Sequence, residues 1–240
     1  MFNRNVNARI IFDLSHISHS TRLHLIRVYA SLALCTTMAL AGACLSIATV
    51  GLSVYDGLVV MCLLGSVVAV FLLGVTTHSP VTEVERFSGL LGLSVSTGFT
   101  LGAARLEASA DPNVVAVALA GTTLLFALCT LSALYFERRV FLLVGGVLPV
   151  LFIMFLLTTL DIVTDMDTHL GVLLYCVLIV MDTQVIIEKA DAGDTDYIWH
   201  CVGLFLDIAE MFRKITAILG RKTNSKGDTE KPINKCAQSN

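Results

Sequence analysis

Long runs of this chain carry no charge at all. Five stretches, Val28–Val50, Gly57–Thr77, Phe87–Ala104, Val114–Phe136 and Val140–Leu160, contain no Asp, Glu, Lys or Arg. A helix crosses the ~30 Å of bilayer hydrocarbon with about 20 predominantly apolar residues, so each stretch meets or approaches that length. Lipid offers the backbone no hydrogen bonds, which leaves a helix as the only way such a segment can cross alone. A sixth stretch, His169–Ile187, holds one charge, Asp182. A seventh, Tyr197–Leu219, begins apolar but carries Asp207, Glu210, Arg213 and Lys214, and is open between a full span and a re-entrant helix. The expectation is an all-α membrane protein, a bundle of six to seven transmembrane helices. Residues 28–219 make up the membrane domain, between an N-terminal segment (1–27) and a polar, disordered tail (220–240).

Composition agrees. The chain is 55% hydrophobic and 15% charged, where a soluble domain carries about 25% charged residues. The surplus apolar surface needs lipid as its solvent, so the bilayer is the first partner expected. No basic run is interleaved with aromatic residues, and no nucleic-acid partner is expected. No apolar core precedes Arg27, so the first span is expected to act as its own insertion signal.

Lys and Arg in the short flanks set the expected orientation. Arg4, Arg9, Arg22 and Arg27 place the N-terminus in the cytoplasm. Arg86, then Arg138 and Arg139, then Lys189 fall on that same side for six alternating spans. The acidic Asp161, Asp165 and Asp167 fall opposite. Seven full crossings would put the basic tail outside, which favours an incomplete seventh crossing and a cytoplasmic tail. His16, His19 and His24 read as part of an amphipathic surface helix before the first span.

Small residues recur within the spans. Ala39–Ala43, Gly89, Gly92, Gly145 and Gly146, and the Gly98/Gly102 pair would allow helix backbones to approach closely within one chain. Pro149 is expected to kink its span. Seven cysteines (35, 44, 62, 129, 176, 201 and 236) show neither metal-ligand spacing nor a secreted disulfide framework, and read as small packing residues.

Two aspartates carry the chemistry. An ionised carboxylate at mid-bilayer costs about 2.5–3.5 kcal/mol on insertion scales, so such residues normally face a bundle interior and act there. Asp207 lies near the middle of its segment. Asp182 lies closer to an end and has an alternative as an interfacial residue. The short Glu188–Asp196 connection makes their helices neighbours. Two carboxylates at similar depth would share a proton and offer oxygen to a hard cation such as Ca²⁺ in transit. His200, seven residues before Asp207, is a candidate proton partner or else a packing histidine. Glu210 is a further accessory candidate. Arg86, otherwise a loop charge beside Glu83 and Glu85, is a candidate latch across the carboxylates. Tyr197 and Trp199 read as an interfacial aromatic pair.

The block Asp182-Thr-Gln-Val-Ile-Ile-Glu-Lys-Ala190, then Gly193-Asp-Thr-Asp-Tyr-Ile-Trp-His-Cys201 and Leu204-Phe-Leu-Asp207, resembles the transmembrane Bax-inhibitor-motif family. So do Leu14-Ser-His-Ile-Ser-His-Ser-Thr21, Val28–Cys35, Thr77-His-Ser79 and Thr130–Tyr135. The resemblance implies seven helices with the last one central, and a di-aspartyl pH sensor at Asp182 and Asp207, 25 positions apart. It also implies residence in the endoplasmic reticulum membrane and Ca²⁺ leak from its lumen. Suppression of stress-induced cell death and association with anti-apoptotic Bcl-2-type proteins belong to the same implication. Two departures stand out: Gly203, where a relative can carry another acid, and a tail ending Asn234-Lys-Cys-Ala-Gln-Ser-Asn240 without a dense lysine run.

Three functions follow as expectations. The leading one is a pH-gated Ca²⁺ leak with calcium as permeant and no cofactor. A non-conducting scaffold for Bcl-2-type and other membrane proteins is the alternative. An intramembrane aspartyl protease ranks lower, because bulky Leu204-Phe-Leu precedes Asp207 where such enzymes place glycines; no enzymatic activity is expected.

Overall fold

The computed structural model describes residues 19–50, 54–77, 79, 81–107, 112–135 and 166–237. All regular structure among them is helical: α1 (His19–Thr49), α2 (Tyr55–Val75), α3 (Glu83–Glu107), α4 (Pro112–Tyr135), α5 (Met166–Asp191) and α6 (Tyr197–Ala237). Five are long and apolar enough to cross a membrane: His19–Thr49, Tyr55–Val75, Glu83–Ala104, Val114–Leu134 and Leu170–Asp191. The expected span Val140–Leu160, with Gly145, Gly146 and Pro149, lies outside the described residues, as does His16.

Two boundaries differ from expectation. The first described helix carries His19–Val28 in continuity with the expected span, so His19 and His24 lie in its opening turns, with Thr21, His24 and Leu25 buried. Neither Gly nor Pro interrupts His19–Val28, and a nucleated helix propagates through such residues readily. The last helix runs to Ala237, so the backbone of 223–237 is helical where a disordered tail was expected.

α6 is not among the five apolar candidates, because Asp207, Glu210, Arg213 and Lys214 interrupt it. It packs instead against all five other described helices. Ile198, Cys201, Val202, Leu204, Phe205 and Met211 are buried along it, and they join Leu25, Val28, Leu32, Cys35, Leu90, Leu93, Ile179 and Ile186 in one core. α2 shows the opposite behaviour. Leu73 is its one buried residue, while Met61, Leu64, Val67, Phe71 and Val75 are exposed. Apolar side chains exposed in such a row are suited to lipid contact.

α1 and α3 meet through their small residues. A Cβ at Gly98 would overlap the Ala39 carbonyl, and one at Gly42 the Val95 carbonyl. One at Gly102 would stand 2.9 Å from Ser46 Cβ. The expected close approach is therefore real at these three glycines. At Gly92 a Cβ would meet nothing within 4 Å.

Candidate functional site

The turn between α5 and α6 is built by its own sequence. Gly193 takes φ +95°, a left-handed conformation that glycine adopts without strain. Asp194 N–H then donates to Lys189 O at 2.9 Å and Gly193 N–H to Ala190 O at 3.1 Å, closing the end of α5 in a Schellman motif. Asp196 caps the next helix, accepting from Trp199 N–H at 3.1 Å through Oδ1. The chain therefore reverses within residues 192–196, and α5 and α6 run antiparallel. Their register is visible in two close approaches. A Cβ on Gly203 would lie 3.0 Å from Asp182 Oδ2, and one on Gly171 would lie 3.1 Å from Lys214 Cε. Eleven residues onward on α6 (203 to 214) match eleven backward on α5 (182 to 171).

That register sets the carboxylates. Asp182 lies over Gly203, and Asp207 follows one helical turn later, about 6 Å along the axis. Asp182 is near enough for its charge to act on Asp207. Asp207 Oδ2 is buried with no hydrogen-bond partner. Glycine at 203 is what leaves room for the Asp182 carboxylate, since any side chain there would press on it. Tyr175 on α5 is within electrostatic reach of Asp207, Glu210 and Arg213. Glu210 is occupied by Arg213, at 2.6 Å from Nη2 in a half-exposed pair. No group of three or more His, Cys, Asp or Glu gathers into a metal site among the described residues. The oxygen chemistry available is that of two carboxylates.

The other accessory candidates sit elsewhere. Arg86, expected as a loop charge or a latch on the carboxylates, is buried and reaches Asp196 at 2.8 Å and Leu73 O at 3.2 Å. Asp196 thus caps α6 with one oxygen and holds Arg86 with the other. His200 does not approach Asp207. It is buried against His24, with Nδ1 3.0 Å from His24 Nε2 and Nε2 3.7 Å from Asp194 Oδ2. The Thr21 hydroxyl donates to Asp191 at 2.5 Å, and Tyr197 donates to Glu83 at 2.7 Å. Together these contacts tie the α5–α6 turn to the start of α1, the end of α2 and the start of α3. They form a polar clasp about two turns from the carboxylates.

The sequence family described as "Inhibitor of apoptosis-promoting Bax1" matches residues 21–224. The chain belongs to this family. Bax inhibitor 1 of Homo sapiens is 39% identical over 240 residues, covering 96% of this chain and 99% of the human protein. Bax inhibitor 1 of Bos taurus is 39% identical over 234 residues, covering 94% and 98%. The Drosophila melanogaster protein is 32% identical over 171 residues, covering 66% and 70%. No solved structure matches. The match to the family begins at Thr21, in the clasp, and runs past both aspartates.

Sequence reasoning overlooked the clasp because its partners are remote: 176 positions separate His24 from His200, and 110 separate Arg86 from Asp196. Local signals reached only as far as the short polar Glu188–Asp196 connection between the two helices. The clasp makes a stability prediction. Arg86→Ala loses a charge-assisted bond to Asp196, worth about 1.5–3 kcal/mol. Arg86 Nε and Nη1 are buried without partners, and removing them offsets part of that loss. A drop in the lower half of the range is expected in thermal unfolding in detergent. Arg86→Lys recovers part of it, because an ammonium cannot reproduce the guanidinium fork. Glu85→Ala, at an exposed neighbour, leaves stability unchanged.

Proposed function

We propose that this family member is a pH-sensitive calcium leak channel of the endoplasmic reticulum membrane, with Asp182 and Asp207 as its sensor, and that it suppresses stress-induced apoptosis. The observation that carries the reading is the buried, unpartnered Asp207 Oδ2 one turn from Asp182 on the neighbouring helix. Two carboxylates so placed make each other's ionisation more costly, and gaining or losing a proton changes how α5 and α6 repel one another. Because α6 touches every other described helix, it is well placed as the central element through which such a change reaches the bundle. Ca²⁺ prefers ~6–8 oxygen ligands, so two carboxylates suit a passing ion better than a resident one. The N-terminus lies in the cytoplasm in this reading, the clasp faces the same side, and the protein has no enzymatic role.

The name of the relatives favours a second reading. The relatives are called Bax inhibitor 1, a name that concerns apoptosis; in this reading the chain acts as a scaffold for anti-apoptotic Bcl-2-type proteins without conducting. Purified protein alone in liposomes separates the two. Ca²⁺ flux that varies across a pH series near neutrality supports the leak; flux no greater than in empty liposomes at every pH overturns it in favour of the scaffold.

A further inference from the structure

We infer that Cys35 and Cys201 are a redox-sensitive pair, which a hydroperoxide converts to a disulfide joining α1 to α6. Their sulfurs are 3.9 Å apart and both residues are completely buried. They belong to helices at opposite ends of the sequence, 166 positions apart. Closing from 3.9 Å to the ~2.05 Å of an S–S bond calls for rotation about the side-chain torsions and a small approach of the helices. The pair has a polar neighbour in Ser94 of α3, whose hydroxyl donates to Leu90 O at 2.8 Å. Cys44, by contrast, is an exposed single thiol. Packing alone would be served by any small residue; two thiols facing each other across a helix pair add a covalent option.

The chemistry balances with a small, neutral oxidant able to enter the bundle. One thiol takes oxygen from hydrogen peroxide, giving a sulfenic acid and water. The second thiol attacks that sulfur, forming the disulfide and releasing a second water. Two thiols lose two electrons, and the peroxide is reduced to two waters. The bond would fix α6 to α1 six residues before Asp207, about 9 Å along the helix axis. Its effect on ion flux rests on the leak reading, whereas formation of the bond does not.

The test uses the full chain in liposomes exposed to a hydrogen peroxide series. Remaining thiols are alkylated after denaturation, the linked peptides are mapped by mass spectrometry, and Ca²⁺ flux is followed in parallel. The expected result is a Cys35–Cys201 linked peptide, reversed by dithiothreitol. It is absent in Cys35→Ser and Cys201→Ala, and kept in Cys129→Ser, which removes a thiol of α4 outside the pair. Circular dichroism of each variant checks that its helices persist. Flux should fall severalfold on oxidation and return on reduction. Recovery of Cys35 and Cys201 as alkylated thiols, or linkage of only Cys129 to Cys176, overturns the pair. A linked protein whose flux is unchanged overturns the coupling to the leak. Absence of flux in the reduced protein defeats the leak reading, while the peptide map still decides the disulfide.

Discussion

Asp207→Asn is expected to flatten the pH dependence of Ca²⁺ flux while leaving the bundle folded. The substitution keeps the size of the side chain and removes the ability to ionise, so Asp182 no longer faces a second ionisable carboxylate. If opening is coupled to that one proton, flux in the wild-type protein changes by up to about tenfold per pH unit across the titration. In the variant the slope should fall towards zero, with flux held near one limit of the wild-type range. Asp182→Asn should do the same, and the double variant should add little, because the two act as a unit. Liposome flux at a series of pH values measures all three. A variant that retains the full wild-type slope removes Asp207 from the mechanism. Folding is expected to survive, because the amide sits where Oδ2 is now buried without a partner and an uncharged group is easier to bury.

The largest effect on stability is expected at Gly98. A Cβ there would overlap the Ala39 carbonyl, and both sides of that contact are backbone, which cannot swing aside as a flexible side chain does. Gly98→Ala must part α1 from α3. Overpacking of this kind costs about 1–3 kcal/mol, and contact with rigid backbone places it at the upper end. Gly98→Val should prevent recovery of folded protein. Gly92→Ala is the matched control on the same helix, since nothing stands within 4 Å of its Cβ. There the higher helix propensity of alanine should raise stability by up to about 1 kcal/mol. Thermal unfolding of the purified proteins in one detergent decides the contrast. Equal stabilities for Gly98→Ala and the parent protein would show that the two helices are not held at this distance.

The uncharged runs determined by themselves that this chain is helical and crosses a membrane, because the backbone has no other way to satisfy its hydrogen bonds in lipid. The short polar Glu188–Asp196 connection announced that α5 and α6 are neighbours, while the Gly193 turn and the Asp196 cap emerged only in the structure. The small residues of α1 and α3 announced a close approach. Asp182 and Asp207 were legible because a carboxylate in an apolar run is costly enough to need a reason. Tertiary structure alone decided which residues meet. Register put Asp182 over Gly203 rather than directly opposite Asp207. Packing drew Arg86 and His200 away from the carboxylates and into a clasp with Asp196 and His24, and it brought Cys35 to Cys201. The contacts of the clasp and of the cysteine pair join residues more than a hundred positions apart, and no local propensity encodes them. They follow from how the described helices share a limited interior, where each buried polar side chain must find whatever partner the packing brings within reach.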